Sequence, residues 1–213
     1  MTRAGLFRSL AGAAVLSLFI GGPASAYTIG AEIADAPDLP PGQSFVGPIQ
    51  EITGELSIFD GDLVDMFGFY IGNPFSAVTV QVDEFYIADP VLYLFDAAGK
   101  GVFMDDDSGG LGQAALGALP SGYGVGWYFL AIAFSGVQPI DGFGNTIFNV
   151  FGDLGVTSND AVAGWDGSAL SSNFDLPGKY SIRVTGVPEP GTFLLLLAGL
   201  GALGFRPSRF GRG

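Results

Sequence analysis

Lys179-Tyr180-Ser181-Ile182-Arg183-Val184-Thr185 alternates without a break: Tyr180, Ile182 and Val184 fall on one side of an extended chain, and Ser181, Arg183 and Thr185 on the other. Successive side chains of a strand point to opposite faces, so this pattern predicts a strand with one buried face and one wet face. Ala77–Val82 repeats it, with Val78, Val80 and Val82 opposed to Thr79 and Gln81, and Met66–Ile71 alternates around Phe67, Phe69 and Ile71. Val91–Phe95 is apolar throughout, which predicts a central strand covered on both faces. Asp96-Ala97-Ala98-Gly99-Lys100-Gly101 then supplies a glycine turn, and Val102–Met104 returns as its hairpin partner. Trp127–Phe134 is a second buried run, and Ile49–Ile58 carries Gly54 inside it, a sign of a bulge or break. No long stretch shows the 3.6-residue period of an amphipathic helix. Short strands, 35 glycines and few helix signals predict an all-β sandwich.

The two ends differ from this body. Arg3 and Arg8 precede the apolar run Leu10–Ile20, and Ala24-Ser25-Ala26 offers small residues for cleavage. That order predicts a secretory signal peptide over 1–26, a helix recognised by the secretion machinery and signal peptidase, with Ala24 and Ala26 at the cut. The competing reading is an uncleaved anchor. At the other end, Val187-Pro188-Glu189-Pro190 leads into the apolar or glycine stretch Phe193–Phe205, followed by Arg206, Arg209 and Arg212. Thirteen residues make a helix of roughly 20 Å, short of the ~20 apolar residues of a full span. Gly191, Thr192 and the stem of Arg206 extend it. The arginines favour a cytoplasmic C-terminus. A core helix would show a polar stripe, and Phe193–Phe205 has none.

Between the ends the charge is one-sided. Only Lys100, Lys179 and Arg183 remain in Tyr27–Gly186, against 20 of the 21 acids, for a formal charge of −17. Such a surface repels nucleic acid and anionic lipid, and suits divalent cations or plain solubility. The chain has no cysteine and no histidine. Ser-His-Asp and Cys-His nucleophiles and the usual zinc sites are therefore excluded.

The C-terminal order of a Pro-Glu-Pro motif, a greasy helix and a basic tail resembles the PEP-CTERM sorting signal, which an exosortase reads in the inner membrane of Gram-negative bacteria. The resemblance implies export, a transient inner-membrane anchor and then a cell-surface or extracellular location. A second resemblance rests on Ile52-Thr53-Gly54-Glu55-Leu56, Asp60…Asp62…Asp65-Met66-Phe67, Asp89–Gly99, Asp105–Gly110 and Gly178–Gly186. In that order they are similar to bacterial pre-peptidase C-terminal-like domains. This implies a jelly-roll-like antiparallel β-sandwich over 51–186. The chain departs from those domains in Ser135–Pro177, a longer connection in which Ile147–Phe151 reads as an extra strand. The organisation expected is a signal peptide at 1–26, an irregular arm at 27–50, the sandwich at 51–186 and the sorting signal at 187–213. In that signal the motif is 187–190, the helix about 191–205 and the basic tail 206–213.

Chemistry could sit in three acidic sets. Asp60, Asp62 and Asp65 have the alternating spacing that lets a loop wrap a hard cation, and Asp105, Asp106 and Asp107 stand beside Ser108 and two glycines. Asp141, Asn145 and Asp153 form a looser third set. Calcium takes six to eight oxygens, which sandwich-edge loops can supply. The competing reading is solvated, turn-forming aspartates. No cofactor is required by either. Among the aromatics, Trp127 reads as core, whereas Trp165, in Gly164-Trp165-Asp166-Gly167, reads as a loop residue able to stack on a sugar.

The expected function is a non-catalytic exported surface or matrix protein, sorted by an exosortase and associated with exopolysaccharide or biofilm. The alternatives are a calcium-assisted carbohydrate-binding module and a carboxylate-based glycoside hydrolase. In a host with an exosortase, mature protein should lack both Met1–Ala26 and everything after the Pro188-Glu189-Pro190 region. Mass spectrometry of surface-released protein should then find no peptide covering Phe193–Arg206, and its recovery would refute the processing.

Overall fold

The computed structural model describes residues 29–46, 49–71, 77–81, 89–109, 112–149, 155–170 and 178–185. The signal-peptide and C-terminal helices expected from the sequence lie outside them, as do Ala24, Ala26, Val187, Pro188, Glu189, Pro190, Arg206, Arg209 and Arg212. Among the described residues there is no helix long and apolar enough to cross a membrane.

The described residues form twelve strands: β1 (Ile29–Ala31), β2 (Gln43–Ser44), β3 (Glu51–Leu56), β4 (Val64–Ile71), β5 (Ala77–Gln81), β6 (Pro90–Asp96), β7 (Gly101–Asp105), β8 (Ala115–Leu116), β9 (Gly126–Phe134), β10 (Gln138–Asp141), β11 (Val162–Asp166) and β12 (Gly178–Thr185). They form two five-stranded sheets, ordered β1-β3-β12-β5-β8 and β2-β4-β9-β6-β7, plus the pair β10-β11. The all-β expectation holds. The sheets are mixed, not purely antiparallel: β1 runs parallel to β3 and β2 parallel to β4. Both exceptions come from the arm expected to be irregular. Its chain lays β1 on the edge of one sheet, crosses to leave β2 on the edge of the other, and returns as β3, so each edge pair meets in the parallel sense.

Alternation in β12 is realised. Tyr180, Ile182 and Val184 are buried, Lys179 and Arg183 exposed. Ser181 is the exception, buried because its hydroxyl donates to Glu51 Oε1 at 2.5 Å. Tyr180 meets Phe67 of the facing sheet edge-on, with centroids 6.3 Å apart, and the two sheets share one apolar core. The side chains of β5 lie outside the description, and so does Val82.

β6 confirms the reading of Val91–Phe95. Every residue from Pro90 to Phe95 is buried. Strand geometry turns Leu92 and Leu94 toward the facing sheet and Tyr93 and Phe95 away from it. The outward pair is covered by the long connection after β9: Phe148 lies 5.5 Å from Tyr93 and 5.7 Å from Phe95, and Trp165 lies 5.6 Å and 6.3 Å from the same two rings. Tyr93 also donates to the carbonyl of Val137 at 2.8 Å. The connection builds its regular structure from β10 and β11. At the expected strand Ile147–Phe151, the described residues form only an isolated bridge from Phe148 to Val156.

Gly54 is not a bulge, for β3 pairs with β12 in continuous register through Tyr180 opposite Gly54. Its missing side chain has another use: a methyl there would overlap Tyr180 Oη and the Glu32 carboxylate. Gly54→Ala should therefore destabilise the fold by about 1–3 kcal/mol, the usual cost of overpacking. Gly117→Ala, where nothing lies within 4 Å, should leave the melting temperature nearly unchanged. Equal melts for the two variants would show that the space above Gly54 is not needed. Leu94→Asp, a buried charge without a partner, should cost several kcal/mol in the same assay.

Candidate cation site

The turn from β3 to β4 is closed by backbone bonds from Ser57 N to Asp62 O at 2.9 Å and from Asp62 N to Ser57 O at 3.0 Å. Gly61, at φ 82°, occupies the left-handed conformation that glycine tolerates best. Asp60 spends its carboxylate inside this turn, accepting from the Ser57 hydroxyl at 2.6 Å. Asp62 and Asp65 point elsewhere. One carboxylate oxygen from each of Glu32, Asp35, Asp62 and Asp65 lies within 4.8 Å of the other three. Two of these acids come from the arm. Glu32 is fixed by accepting from Ala36 N at 3.1 Å and Glu55 N at 2.9 Å. Between Glu32 and Asp35, Ala34 sits at φ 56°, a left-handed conformation costing about 1–2 kcal/mol in a residue with a Cβ.

Asp65 is the centre of the group. It is 0% exposed, and Tyr180 donates to its Oδ2 across the sandwich at 2.5 Å. Its Oδ1 is buried without a hydrogen-bond partner, and so is Oδ1 of Asp62. Burial, then the charges of Glu32, Asp62 and Asp35, pushes the Asp65 carboxyl up to about 8 against the pull of the Tyr180 bond. Burial followed by Asp35 and Glu32 pushes Asp62 up to about 7. Burial and the Asp65 carboxylate push the Tyr180 phenol up as well, so it stays a donor. An orphaned buried carboxylate oxygen among three further carboxylates needs either a proton or a cation. Four carboxylates with water can complete the six to eight oxygens calcium prefers.

The second acidic set is redrawn in the same way. Asp105 is a capping residue, accepting from Ser108 N at 3.0 Å, from the Ser108 hydroxyl and from Ala115 N at 2.7 Å. Asp106 and Asp107 instead gather with Asp89, again with oxygens within 4.8 Å. Burial, then Asp89 and Asp107, raises Asp106 to about 6. All three residues keep some exposed surface, although Oδ1 of Asp89 and Oδ1 of Asp106 are buried without a hydrogen-bond partner. The third set is a turn. Burial alone would raise Asp141, but donors from Asn145, Ser158 and Phe143 outweigh it and hold the carboxyl at about 2. Asp153 lies outside the described residues.

Asp62 and Asp65 thus group with Glu32 and Asp35, and Asp106 and Asp107 with Asp89, while Asp60 and Asp105 belong to neither group. Nothing local in the sequence marks Glu32, Asp35 and Asp89, since neither the arm nor the residue before β6 carries a ligand pattern. Trp165 is corrected as well. It belongs to β11 rather than a loop, its ring packs on Tyr93 and Phe95, and its Nε1 donates to Asp38 O at 2.8 Å. Trp127, read as core, is instead 46% exposed.

Raised carboxyls have a defined sign. The folded chain holds protons that the unfolded chain releases near pH 4, so their stabilisation is full below that value. It is lost as pH rises through about 7 and 8. In chelator at fixed ionic strength, the melting temperature should fall between pH 5 and pH 8.5, and Asp65→Asn should flatten that fall. A melting temperature that rises across this window would contradict the buried cluster.

Comparison with known proteins bears on the tail. No curated protein matches the chain. Residues 186–209 match the PEP-CTERM protein-sorting motif, which implies exosortase as the processing partner and export with transient membrane anchoring before surface display. The match supports reading the chain as an exosortase substrate.

Proposed function

We propose that this exosortase-sorted surface protein is a non-catalytic component of the exported matrix, of the pre-peptidase C-terminal-like kind, whose sandwich is clamped by calcium after export. The observation that carries the clamp is Asp65, wholly buried, with one oxygen orphaned and its carboxylate grouped with those of Glu32, Asp35 and Asp62. A cation there would tie the arm, which supplies Glu32 and Asp35, to the β3–β4 turn and β4. Association with exopolysaccharide is the role that fits an acidic surface-displayed sandwich.

Among the described residues, burial favours the non-catalytic reading over the carboxylate hydrolase. A general acid must reach its substrate, and the most strongly perturbed carboxyl, Asp65, has no exposed surface. An open groove of about 430 Å³ runs past Glu32, Gly54, Glu55, Lys179 and Tyr180, and neither Asp62 nor Asp65 lines it. Sugar stacking on Trp165 is likewise unsupported, because that ring is part of the cover over β6.

Millimolar calcium should raise the melting temperature of the chelated protein more than magnesium does, with ionic strength held constant by sodium chloride. Binding to the folded state alone stabilises by RT ln(1 + [L]/Kd), about 2.7 kcal/mol at a hundredfold excess over Kd. Calcium's looser geometry suits side chains from three segments better than magnesium's strict octahedron. Glu32→Gln and Asp62→Asn should each reduce the calcium shift, while Asp60→Asn, in its turn, should leave it. Equal shifts with calcium, magnesium and matched salt would mean only that an acidic surface was screened.

A further inference from the structure

The sandwich has two unlike poles, which follow from strand direction. β4 and β12 run the same way, because Tyr180, near the start of β12, reaches Asp65 and Phe67, near the start of β4. Their ends therefore lie together, and the register agrees: Thr185 pairs with Ala77, the residue to which Ile71 connects through five others. At the opposite pole Val64 pairs with Ala133, which pairs with Val91. Both carboxylate groups lie at that pole, Asp62 and Asp65 at the entry to β4 and Asp89 and Asp106 beside β6 and β7. The Thr185 pole carries apolar surface instead. Tyr70 and Trp127 face each other in register on the outer surface of their sheet, 47% and 46% exposed, with ring centroids 6.0 Å apart and planes at 73°. The turn before β9 adds Val125, 58% exposed, and Tyr123. Tyr128 pins that turn by donating to Gly124 O at 2.7 Å.

The chain leaves the sandwich at the aromatic pole. From Thr185 it runs eight residues to Phe193, where the apolar stretch of the sorting tail begins. Eight residues reach at most about 28 Å. We propose that the pole bearing Tyr70, Trp127 and Val125 docks on the lipid interface while the tail holds the chain at the membrane. Trp and Tyr favour the boundary between headgroups and acyl chains, where ring and polar edge are both satisfied. Charge favours the same orientation, since both carboxylate clusters lie at the far pole, with Asp96 the acid that stands opposite Tyr128 at the aromatic one. Phe59 and Ile33 are exposed at the acidic pole, but each stands beside a carboxylate, Asp60 and Glu32 respectively. Docking would hold the segment after Thr185 near the membrane surface, where the sorting motif is read. The inference rests on the reading of residues 186–209 as a membrane-anchored sorting signal.

The test uses tryptophan emission from the full chain, made in a host without exosortase and reconstituted into phosphatidylcholine vesicles brominated near the headgroup. Trp165→Phe leaves Trp127 as the sole tryptophan. Its emission should be lost relative to plain vesicles, whereas Trp127→Phe, which reports from the packed Trp165, should keep its emission. A third chain, with both tryptophans changed to Phe and Leu197→Trp in the tail, monitors insertion. If the Leu197→Trp reporter is not quenched, the anchoring itself is wrong. If it is quenched and Trp127 is not, the tail inserts but the pole does not dock, and the proposal is overturned. A blue shift of Trp127 in plain vesicles that brominated lipid fails to quench would assign the patch to a second copy of the chain, which also overturns it.

Discussion

A carboxylate buried between the two sheets, at one end of a β-sandwich, is the constraint on which the rest depends. Asp65 has no exposed surface and reaches across the core to the Tyr180 hydroxyl. An ionised carboxylate buried without partners costs more than a small domain can spare, so its surroundings must either bond it, protonate it or bring a cation. Several local features serve that need. Gly54 has no side chain because Tyr180 Oη and Glu32 occupy its space. Ala34 takes a left-handed conformation between the two arm acids. The β3–β4 turn consumes Asp60 internally and leaves Asp62 to the cluster. Each would be an oddity alone; together they describe one site.

The long connection after β9 solves a different problem. A five-stranded sheet has two faces, and only one can meet the partner sheet. Tyr93 and Phe95 would otherwise leave a large apolar surface in water, so Phe148 and Trp165 close over them while Tyr93 and Trp165 place their polar atoms on backbone carbonyls. The cover stops short of one end of the sheet, where Tyr70 and Trp127 stay exposed. Cover and exposed pair thus belong to one surface, divided between packing and contact with something outside the domain. Among the described residues both carboxylate clusters lie at the other end, which gives the domain a direction along its strands.

How much was legible in the sequence depends on the range of the signal. Strand periodicity is local, so β4, β6, β7, β9 and β12 could be read directly, and the apolar run Val91–Phe95 even announced cover on both faces. The arm misled for the same reason. Its prolines and glycines break any local period, yet β1 and β2 form because neighbouring strands offer edges to pair with. Glycines around Trp165 mark a loop in sequence terms, whereas in the fold Gly164 lies opposite Ile140 in the β10–β11 pair.

By itself, the sequence determined the strand-rich class, the acidic body without histidine or cysteine, and the sorting motif at 186–209, because composition, period and short motifs are carried by residues near one another in the chain. Only the tertiary structure decided which carboxylates meet. Spacing grouped Asp60 with Asp62 and Asp65, and Asp105 with Asp106 and Asp107. The fold instead withdrew Asp60 and Asp105 into turns and brought in Glu32, Asp35 and Asp89. Ligands gathered from separate segments leave no pattern along the chain, because the distance that matters to a cation is measured through space, and folding alone sets it.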